Sequence, residues 1–412
     1  MSKQINLDVV VIGGGPAGMA SALEARKNGV SVAIVERECQ LGGILKQCIH
    51  SGFGLHYFGE EMTGPEYAHK FVENVLNSDI RLFLSSYVIS VETGKVVIKN
   101  KDGITTINCK SIVLAVGCRE RTAGGIALNG ERPSGVWTAG QVQKWVNRYG
   151  KLPCKNPIIL GSGDIGLIMA RRLTLEGAKP QMVLEVQPTT SGLKRNIAQC
   201  LNDFDIPLYL NTTIAEVIGY PKITGVIIAN VDSNMQIIDS TKRKVDCDGL
   251  VLSVGLIPET TLLDTAIKNS KTGSFLVNEY YETSVRGIFA CGNGLHVHDL
   301  VDFVTKESIK TGKMASEYAL NTLKYGTEHK ITAGKGVRYT MPNSFFEGSG
   351  EVDILFRVTG KYSKTNLIVR DADGNVISKK FVMCANAGEM QTITFNKDGV
   401  YKDIIIEVEG AN

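Results

Sequence analysis

Residues 9–18 read VVVIGGGPAG, and this stretch decides the fold. Its four apolar residues, 9–12, are typical of a strand that is buried on both faces of a parallel sheet. The glycines then lead into an alanine-rich segment, 19–27, which predicts a helix that ends at Asn28-Gly29. A second apolar run, 30–35, ends just before Glu36, so residues 9–36 have the pattern of a complete βαβ unit.

The loop of this unit has the spacing G-x-G-x-x-G, formed by Gly13, Gly15 and Gly18. In such a loop the first glycine allows a tight turn, the second lets a pyrophosphate approach the backbone, and the third lets helix and strand pack closely. Pro16 and Ala17 belong to the loop just before the predicted helix, and a helix N-terminus attracts phosphate. Glu36 lies 18 residues after Gly18, where a carboxylate accepts hydrogen bonds from ribose hydroxyls. The sequence therefore predicts a dinucleotide site.

The same pattern recurs about 150 residues later. A strand at 157–160 leads into a second loop, whose glycines are Gly161, Gly163 and Gly166. Asp164 and Ile165 belong to this loop, a helix is predicted at 167–175, and Glu185 follows Gly166 by 19 residues. A carboxylate at this position repels the 2′-phosphate of NADP(H), so Glu185 favours NAD(H). Two such units predict two dinucleotide-binding domains.

Composition excludes several classes of protein. The 45 basic and 42 acidic residues give a net charge of +3, which does not suggest nucleic-acid binding. Hydrophobic residues make up 43% of the chain, as in globular proteins, and no apolar run reaches the ~18 residues of a membrane span. The nine cysteines are scattered without a CxxC motif, and the N-terminus has no signal-peptide pattern. We therefore expect a cytoplasmic protein without an integral membrane segment.

The segment from 334 to 412 differs from the rest of the chain, because it shows no helical period. Alternating apolar residues predict strands at 352–358, 366–370, 376–382, 390–395 and 404–408. The predicted fold class is therefore α/β, with two Rossmann-like dinucleotide-binding domains of the three-layer ββα type and a small all-β C-terminal domain, similar to a β-sandwich. Nothing in this last domain resembles a site, so we expect it to mediate assembly.

Three further motifs carry a family resemblance: LAVG at 114–117, LSVG at 252–255 and IFACGN at 288–293. Together with the two glycine loops, they resemble the pyridine nucleotide–disulfide oxidoreductase superfamily of flavoproteins. The resemblance implies an FAD-binding domain of residues 1–152 and 285–328 and an NAD(H)-binding domain of residues 153–284, followed by the β domain at 334–412.

The same resemblance implies two sets of cofactor-binding residues. FAD would be bound by Gly13, Gly15, Pro16, Ala17, Gly18, Glu36, Arg37, Gly42, Gly43, Val88, Ala115, Gly117, Gly292 and Asn293. NAD(H) would be bound by Gly161, Gly163, Asp164, Ile165, Gly166, Glu185 and Gly255. No residue is predicted to bind a metal.

Segments 41–50, 52–58, 63–67, 118–121 and 292–302 resemble, more narrowly, a bacterial subgroup of this superfamily. That subgroup accompanies FAD-dependent glycerol-3-phosphate dehydrogenases. It is also similar to the NAD-site subunits of sarcosine-oxidase-like and opine-oxidase-like complexes. The resemblance implies an oligomeric protein with a flavoprotein or iron–sulfur protein as its partner.

Two features depart from the superfamily pattern. Asn293 stands where the late FAD motif usually ends in aspartate, so a negative charge is lost. The redox-active cysteine pair is also missing, because eight residues separate Cys39 from Cys48 and the second predicted domain has no pair. A flavin–disulfide relay is therefore not expected. For Cys48, two roles stay open, a one-cysteine redox centre near the flavin and a small core residue, of which we favour the second.

Two groups of histidines have alternative interpretations. His296 and His298, followed by Asp299, could ligate a metal, but we favour a polar turn in which Asp299 caps the helix predicted from about residue 301. His50 and His56 could donate protons near a substrate, but we favour a structural role for both.

Three functions agree with these patterns. The first is an oxidoreductase that transfers hydride between NAD(H) and FAD and exchanges electrons with a partner protein or subunit, since a disulfide route is missing. The second is a self-contained flavin dehydrogenase or oxidase that acts on a small substrate, such as a glycerol phosphate or an amine. The third is a non-enzymatic protein that docks partners and holds its nucleotide for structural reasons. We favour the first.

Overall fold

The computed structural model describes residues 3–410. The chain forms two compact units: residues up to 118 and from 258 onward make the first, and residues 119–257 make the second. Within the described residues the α-helices, α1 to α6 in chain order, are Pro16–Lys27, Gly64–Leu76, Ala139–Tyr149, Asp164–Leu175, Lys194–Cys200 and Val301–Ala319. The ends of two predicted domains, residues 1–2 and 411–412, lie outside the described part. Over residues 3–410, no helix combines the length and the apolar character needed to cross a membrane.

A five-stranded parallel sheet lies at the centre of the first unit. Its strands, in spatial order, are Ile288–Ala290, Ser111–Leu114, Val9–Ile12, Val32–Val35 and Arg81–Phe83. Val9 and Val11 face an apolar core shared with α1, α2 and α6, whereas Val10 and Ile12 face a second core on the other side of the sheet. The strand is therefore buried on both faces, as its unbroken apolar sequence predicted.

A second sheet covers the face of the parallel sheet that the helices leave open. Its strands, in spatial order, are Lys3–Asn6, Gly103–Asn108, Lys95–Asn100 and Tyr87–Glu92. Val96, Ile98 and Ile107 of this sheet share a core with Val10 and Ile12. The predicted three-layer ββα arrangement is thus confirmed for the first unit.

The second unit repeats this architecture. Its parallel sheet has, in spatial order, the strands Val136–Thr138, Gly249–Leu252, Pro157–Leu160, Met182–Leu184 and Leu208–Tyr209. Its antiparallel sheet has the strands Thr212–Ile218, Gly225–Asn230 and Arg243–Asp246. One face of the parallel sheet packs with helices, and the other face packs with the antiparallel sheet. The prediction of two Rossmann-like domains is confirmed.

The compact units divide the chain at other positions than the predicted domain boundaries of 152/153 and 284/285. The second unit already begins at Arg119, because the strand Val136–Thr138 and helix α3 belong to its parallel sheet and its apolar core. The chain returns to the first unit at Pro258, because residues such as Leu263 and Phe275 pack in that unit's core. Two short strands, Cys118–Glu120 and Leu256–Pro258, contain the two crossing points.

The C-terminal strands form a β-sandwich within the first unit. One sheet has, in spatial order, the strands Ser344–Phe346, Glu328–Ala333, Ile404–Val408, Tyr362–Asp371 and Val376–Ala385. The other has Val337–Met341, Glu351–Val358 and Gln391–Asn396. Apolar residues of both sheets share one core. The five predicted strands are present, and three additional strands precede them, so the sandwich begins at residue 328.

Candidate functional site

The first glycine loop has the geometry of a phosphate cradle. Gly13 has a φ of +108°, and a β-carbon added to it would lie 2.3 Å from the carbonyl oxygen of Ala115. A β-carbon on Gly18 would lie 1.7 Å from the carbonyl oxygen of Gly13. Beside Gly15, by contrast, the nearest atom to such a β-carbon is the Cα of Gly43, at 3.9 Å. The outer glycines are thus required by the protein's own packing, whereas the middle one leaves space that a pyrophosphate can occupy.

Helix α1 begins directly at this space. Its N-cap is Gly15, Pro16 is its first residue, and its first turn carries no acidic side chain. A β-carbon added to Gly292 would lie 2.7 Å from the Cβ of Ala17, so the turn at Gly292 packs on the first turn of α1. The amides at this helix N-terminus and its dipole favour an anion.

Glu36 is held against the loop by two backbone amides. Its Oε2 accepts a hydrogen bond from the amide of Gly14 at 2.6 Å, and its Oε1 accepts one from the amide of Glu38 at 2.8 Å. The side chain is buried. Each carboxylate oxygen has a further lone pair, so Glu36 can still accept a hydrogen bond from a ribose hydroxyl.

The other residues predicted to bind FAD also lie around this loop, with two exceptions. The amide of Gly42 donates to the carbonyl oxygen of Gly14 at 2.8 Å. Gly117 adjoins the turn at Gly292, because a β-carbon added to Gly294 would lie 3.0 Å from the carbonyl oxygen of Gly117. The first exception is Arg37, which is exposed. The second is Val88, which is half-buried in the strand Tyr87–Glu92 and packs against the core beneath the sheet.

The second glycine loop, in the other unit, repeats the first. Gly161 has a φ of +102°, and a β-carbon added to it would lie 2.1 Å from the carbonyl oxygen of Ser253. A β-carbon on Gly166 would lie 2.7 Å from the carbonyl oxygen of Gly161, whereas the nearest atom to one on Gly163 is 3.6 Å away. Ser253 and Gly255 follow the strand Gly249–Leu252, and the carbonyl oxygen of Gly255 accepts from the amide of Arg121 at 3.0 Å.

Glu185 corresponds to Glu36 in position and in contacts. Its Oε2 accepts from the amide of Ser162 at 3.0 Å and from the Ser162 hydroxyl at 2.5 Å. Its Oε1 accepts from the amide of Gln187 at 3.0 Å. Both acidic residues are thus buried. Each is held by the residue that follows the first glycine of its loop and by the backbone amide two residues after the acidic residue itself.

Asp164 has contacts that the sequence did not indicate. Its Oδ1 accepts from the amide of Leu193 at 2.8 Å and from the side-chain amide of Asn196 at 2.6 Å, while the amide of Ser191 donates to the Ser162 hydroxyl at 3.0 Å. The segment before α5 is therefore folded over the second loop. Ile165 packs against the apolar core of its unit. The cofactor contacts predicted for Asp164 and Ile165 stay predictions.

The late loop, residues 292–300, is held by buried polar side chains. The amide of Gly292 donates to Glu307 Oε1 at 2.6 Å, and Glu307 Oε2 lies 2.9 Å from His298 Nε2. The amide of His298 donates in turn to Asn293 Oδ1 at 3.2 Å. Within residues 3–410, no group of three or more His, Cys, Asp or Glu side chains is arranged to hold a metal ion.

The prediction that Asp299 caps α6 is wrong. The N-cap is Leu300, and no side chain caps the helix. Asp299 instead accepts from Arg357 at 2.6 Å and from the amide of Met390 at 2.8 Å, because the guanidinium of the β-sandwich attracts the carboxylate away from the helix amides. Asp302, in the first turn of α6, accepts from three backbone amides, those of Gly54, His56 and Tyr57.

Cys48, His50 and His56 contact other residues of the first unit. The Cys48 thiol donates to the carbonyl oxygen of Ile44 at 3.4 Å, and its carbonyl oxygen accepts from the amide of Gly64, the first residue of α2. His50 Nδ1 lies 3.0 Å from the carbonyl oxygen of Ser51, and the ring of His56 stacks on Phe303. These contacts agree with structural roles, and a redox role for Cys48 stays a prediction.

Two cradles of this geometry define a class of protein, one that binds two dinucleotides. The model of one family, pyridine nucleotide-disulphide oxidoreductase, matches residues 7–319, which is most of the chain. The chain therefore belongs to this family. It is accordingly an FAD-dependent NAD(P)H oxidoreductase, and its open glycine cradles fit both cofactors.

The chain is similar to proteins of several kinds. It is 23% identical over 377 residues to an opine oxidase subunit of Agrobacterium tumefaciens (strain Ach5). The aligned region covers 85% of this chain and 72% of that protein. It is 25% identical to the HcnB component of the hydrogen cyanide synthase of Pseudomonas protegens, over 63% of this chain and 58% of that protein. Its fold is similar to that of thioredoxin reductase from T. acidophilum, with a TM-score of 0.63 and 23% identity over 76% of this chain and 99% of that one.

Proposed function

We propose that this chain transfers hydride between NAD(H) and FAD and exchanges the electrons with a partner protein or subunit, not with a disulfide of its own. The observation that carries this proposal is the state of the cysteines. Among the described residues none of the nine forms a disulfide. In the second unit, burial raises the pKa of the Cys154 thiol to about 12 and that of Cys247 to about 11. Thiols with such pKa values are poor nucleophiles at neutral pH, so they do not suit a redox relay.

When bound, FAD and NAD(H) supply the redox chemistry, and the protein binds and orients them. We propose that the first loop and the N-terminus of α1 bind the FAD pyrophosphate and that Glu36 accepts hydrogen bonds from a ribose. We propose the corresponding roles for the second loop and Glu185 toward NAD(H). The buried Glu185 carboxylate would repel a 2′-phosphate, which favours NAD(H) over NADP(H).

A partner is supported by the nature of the relatives. The opine oxidase subunit and the HcnB component of hydrogen cyanide synthase are, by their names, parts of multi-component enzymes. The chain spans little more than half the length of HcnB, so that protein's activity does not transfer directly. By its electron chemistry, the expected partner is a second flavoprotein or an iron–sulfur protein, and we propose an oligomeric, cytoplasmic assembly.

Anaerobic reduction of the FAD-loaded full chain tests this proposal. NADH is expected to bleach the visible flavin absorbance, NADPH is expected to do so far more slowly, and the count of titratable thiols is expected to stay the same. A lack of bleaching by NADH would contradict the hydride step. A gain of two thiols on reduction would contradict the disulfide-free route, and bleaching by glycerol 3-phosphate or an amine without NADH would favour a self-contained dehydrogenase.

A further inference from the structure

The β-sandwich contacts the late loop through two side chains that lie opposite each other. Tyr339 and Arg357 are register partners on the antiparallel strands Val337–Met341 and Glu351–Val358. Directly opposite residues in antiparallel strands have their side chains on the same face of the sheet. Both side chains are largely buried, although a tyrosine hydroxyl and a guanidinium are costly to bury without partners.

Arg357 donates to the carbonyl oxygen of Gly388 outside the late loop, and the other partners of the two side chains are three residues of that loop. The Tyr339 hydroxyl lies 2.7 Å from Nε2 of His296, which is also buried. Arg357 donates to the carbonyl oxygen of Val297 at 3.0 Å and to Oδ1 of Asp299 at 2.6 Å. The sandwich therefore contacts the loop at one backbone carbonyl oxygen, that of Val297, and at two loop side chains, those of His296 and Asp299.

The loop carries this restraint to the residues predicted to contact FAD. His298 follows directly after Val297, and it is bonded to Asn293 through its amide and to Glu307 through its ring. Glu307 holds the amide of Gly292. A continuous series of hydrogen bonds and short backbone links thus leads from Arg357 to Gly292 and Asn293.

Two ring nitrogens of this loop have no partner within the described residues. They are Nδ1 of His296 and Nδ1 of His298, both buried, on rings whose centroids are 5.0 Å apart. Burial, aided by the nearby His298 and Arg357, holds the pKa of His296 well below its usual range. Buried polar atoms without partners are rare in proteins and mark places where a ligand or ordered water completes the structure.

We propose that Tyr339 and Arg357 are positioning residues for the flavin: they hold the 292–300 loop in the conformation in which Gly292 and Asn293 contact FAD. This inference rests on the proposed function, because it requires FAD in the first cradle. The family match ends at residue 319, so the sandwich supplies a restraint from outside the matched region. The sandwich is then part of the flavin site's support and not only a module for assembly.

Full-length variants test the proposal. Tyr339→Phe removes only the hydroxyl, Arg357→Ala removes the charge, and Arg357→Lys retains it. Arg370→Ala and Tyr401→Phe are matched controls, since Arg370 bonds to Gly374 and Glu407 within the sandwich and Tyr401 is exposed. For each, the FAD dissociation constant, the visible flavin spectrum and the flavin midpoint potential are measured, with the thermal midpoint of the apoprotein as a check of folding.

Arg357→Ala is expected to weaken FAD binding about ten-fold, as loss of a charged hydrogen bond does, and to shift the spectrum and the potential. Tyr339→Phe is expected to have a smaller effect in the same direction, and Arg357→Lys is expected to restore part of the affinity. The proposal would be overturned if the variants fold and keep the wild-type dissociation constant, spectrum and potential. If Arg357→Ala does not fold, the same measurements on Tyr339→Phe test the proposal. A wild-type chain that binds no FAD would overturn the proposed function itself.

Discussion

The Nζ of Lys397 lies 2.7 Å from Oε1 of Glu279, and both side chains are more than nine-tenths buried. The same oxygen accepts a hydrogen bond from the amide of Phe346 at 2.8 Å. Lys397 and Phe346 belong to the β-sandwich, whereas Glu279 lies in the segment before the strand Ile288–Ala290. This ion pair therefore ties the sandwich to the rest of the first unit.

Lys397→Met tests how strongly this tie stabilises the first unit. The substitution leaves the Glu279 carboxylate buried without its cation, which in other proteins costs about 3–5 kcal/mol. We expect a loss of that size in the free energy of unfolding, measured by urea denaturation. Lys402→Met, which removes an exposed ion pair with Asp373 in the same sandwich, is the control and should change much less. Equal effects of the two substitutions would contradict the assigned difference in burial.

Gly15→Ala and Gly13→Ala should separate cofactor binding from folding. A β-carbon on Gly15 meets no protein atom closer than 3.9 Å, so the variant should fold normally but lose FAD affinity about ten-fold, because the methyl group occupies the space of the pyrophosphate. Gly13→Ala combines a left-handed φ with a clash against Ala115, so it should destabilise the apoprotein by about 1–3 kcal/mol. FAD titration and thermal unfolding of both apoproteins measure the two effects. A destabilised Gly15→Ala apoprotein that retains full FAD affinity would reverse the assigned roles.

The sequence predicted the parts of this molecule that depend on local geometry. Gly13 and Glu36 follow from a strand, a tight turn and a fixed spacing, which leave a readable pattern. The contacts between Arg357 and Asp299 and between Asp164 and Asn196 join residues far apart in the chain, where no spacing rule applies. For this reason the local pattern predicted that Asp299 caps the nearest helix, α6, and this prediction is wrong. The three sandwich strands before residue 352 were not predicted, because they are short and are separated by Gly334-Lys335-Gly336 and Pro342.

Glu185→Gln should change the choice between the two nicotinamide cofactors. The carboxylate is held by Ser162 and Gln187 and carries the negative charge that disfavours a 2′-phosphate. Because hydrogen bonds to a charged group contribute about 1.5–3 kcal/mol, kcat/KM for NADH should fall about ten-fold, while that for NADPH should stay the same or rise. Glu176→Gln, at the exposed end of α4, is the control. A wild-type chain that prefers NADPH would contradict the assignment of Glu185.

Alkylation with iodoacetamide should distinguish the buried cysteines from the exposed ones. The thiolate is the reactive form, so a raised pKa lowers reactivity: with a pKa of about 12 for Cys154, only about one thiol in 10,000 is ionised near pH 8. We expect the exposed Cys39 and Cys384 to be modified, whereas Cys154 and Cys247 should react only as the pH approaches 11 or in urea. Peptide mass mapping measures this, with the urea-denatured chain as the control. Flavin reduction by NADH should survive the treatment at pH 8, and its loss together with modification of Cys154 would show that a thiol takes part in electron transfer.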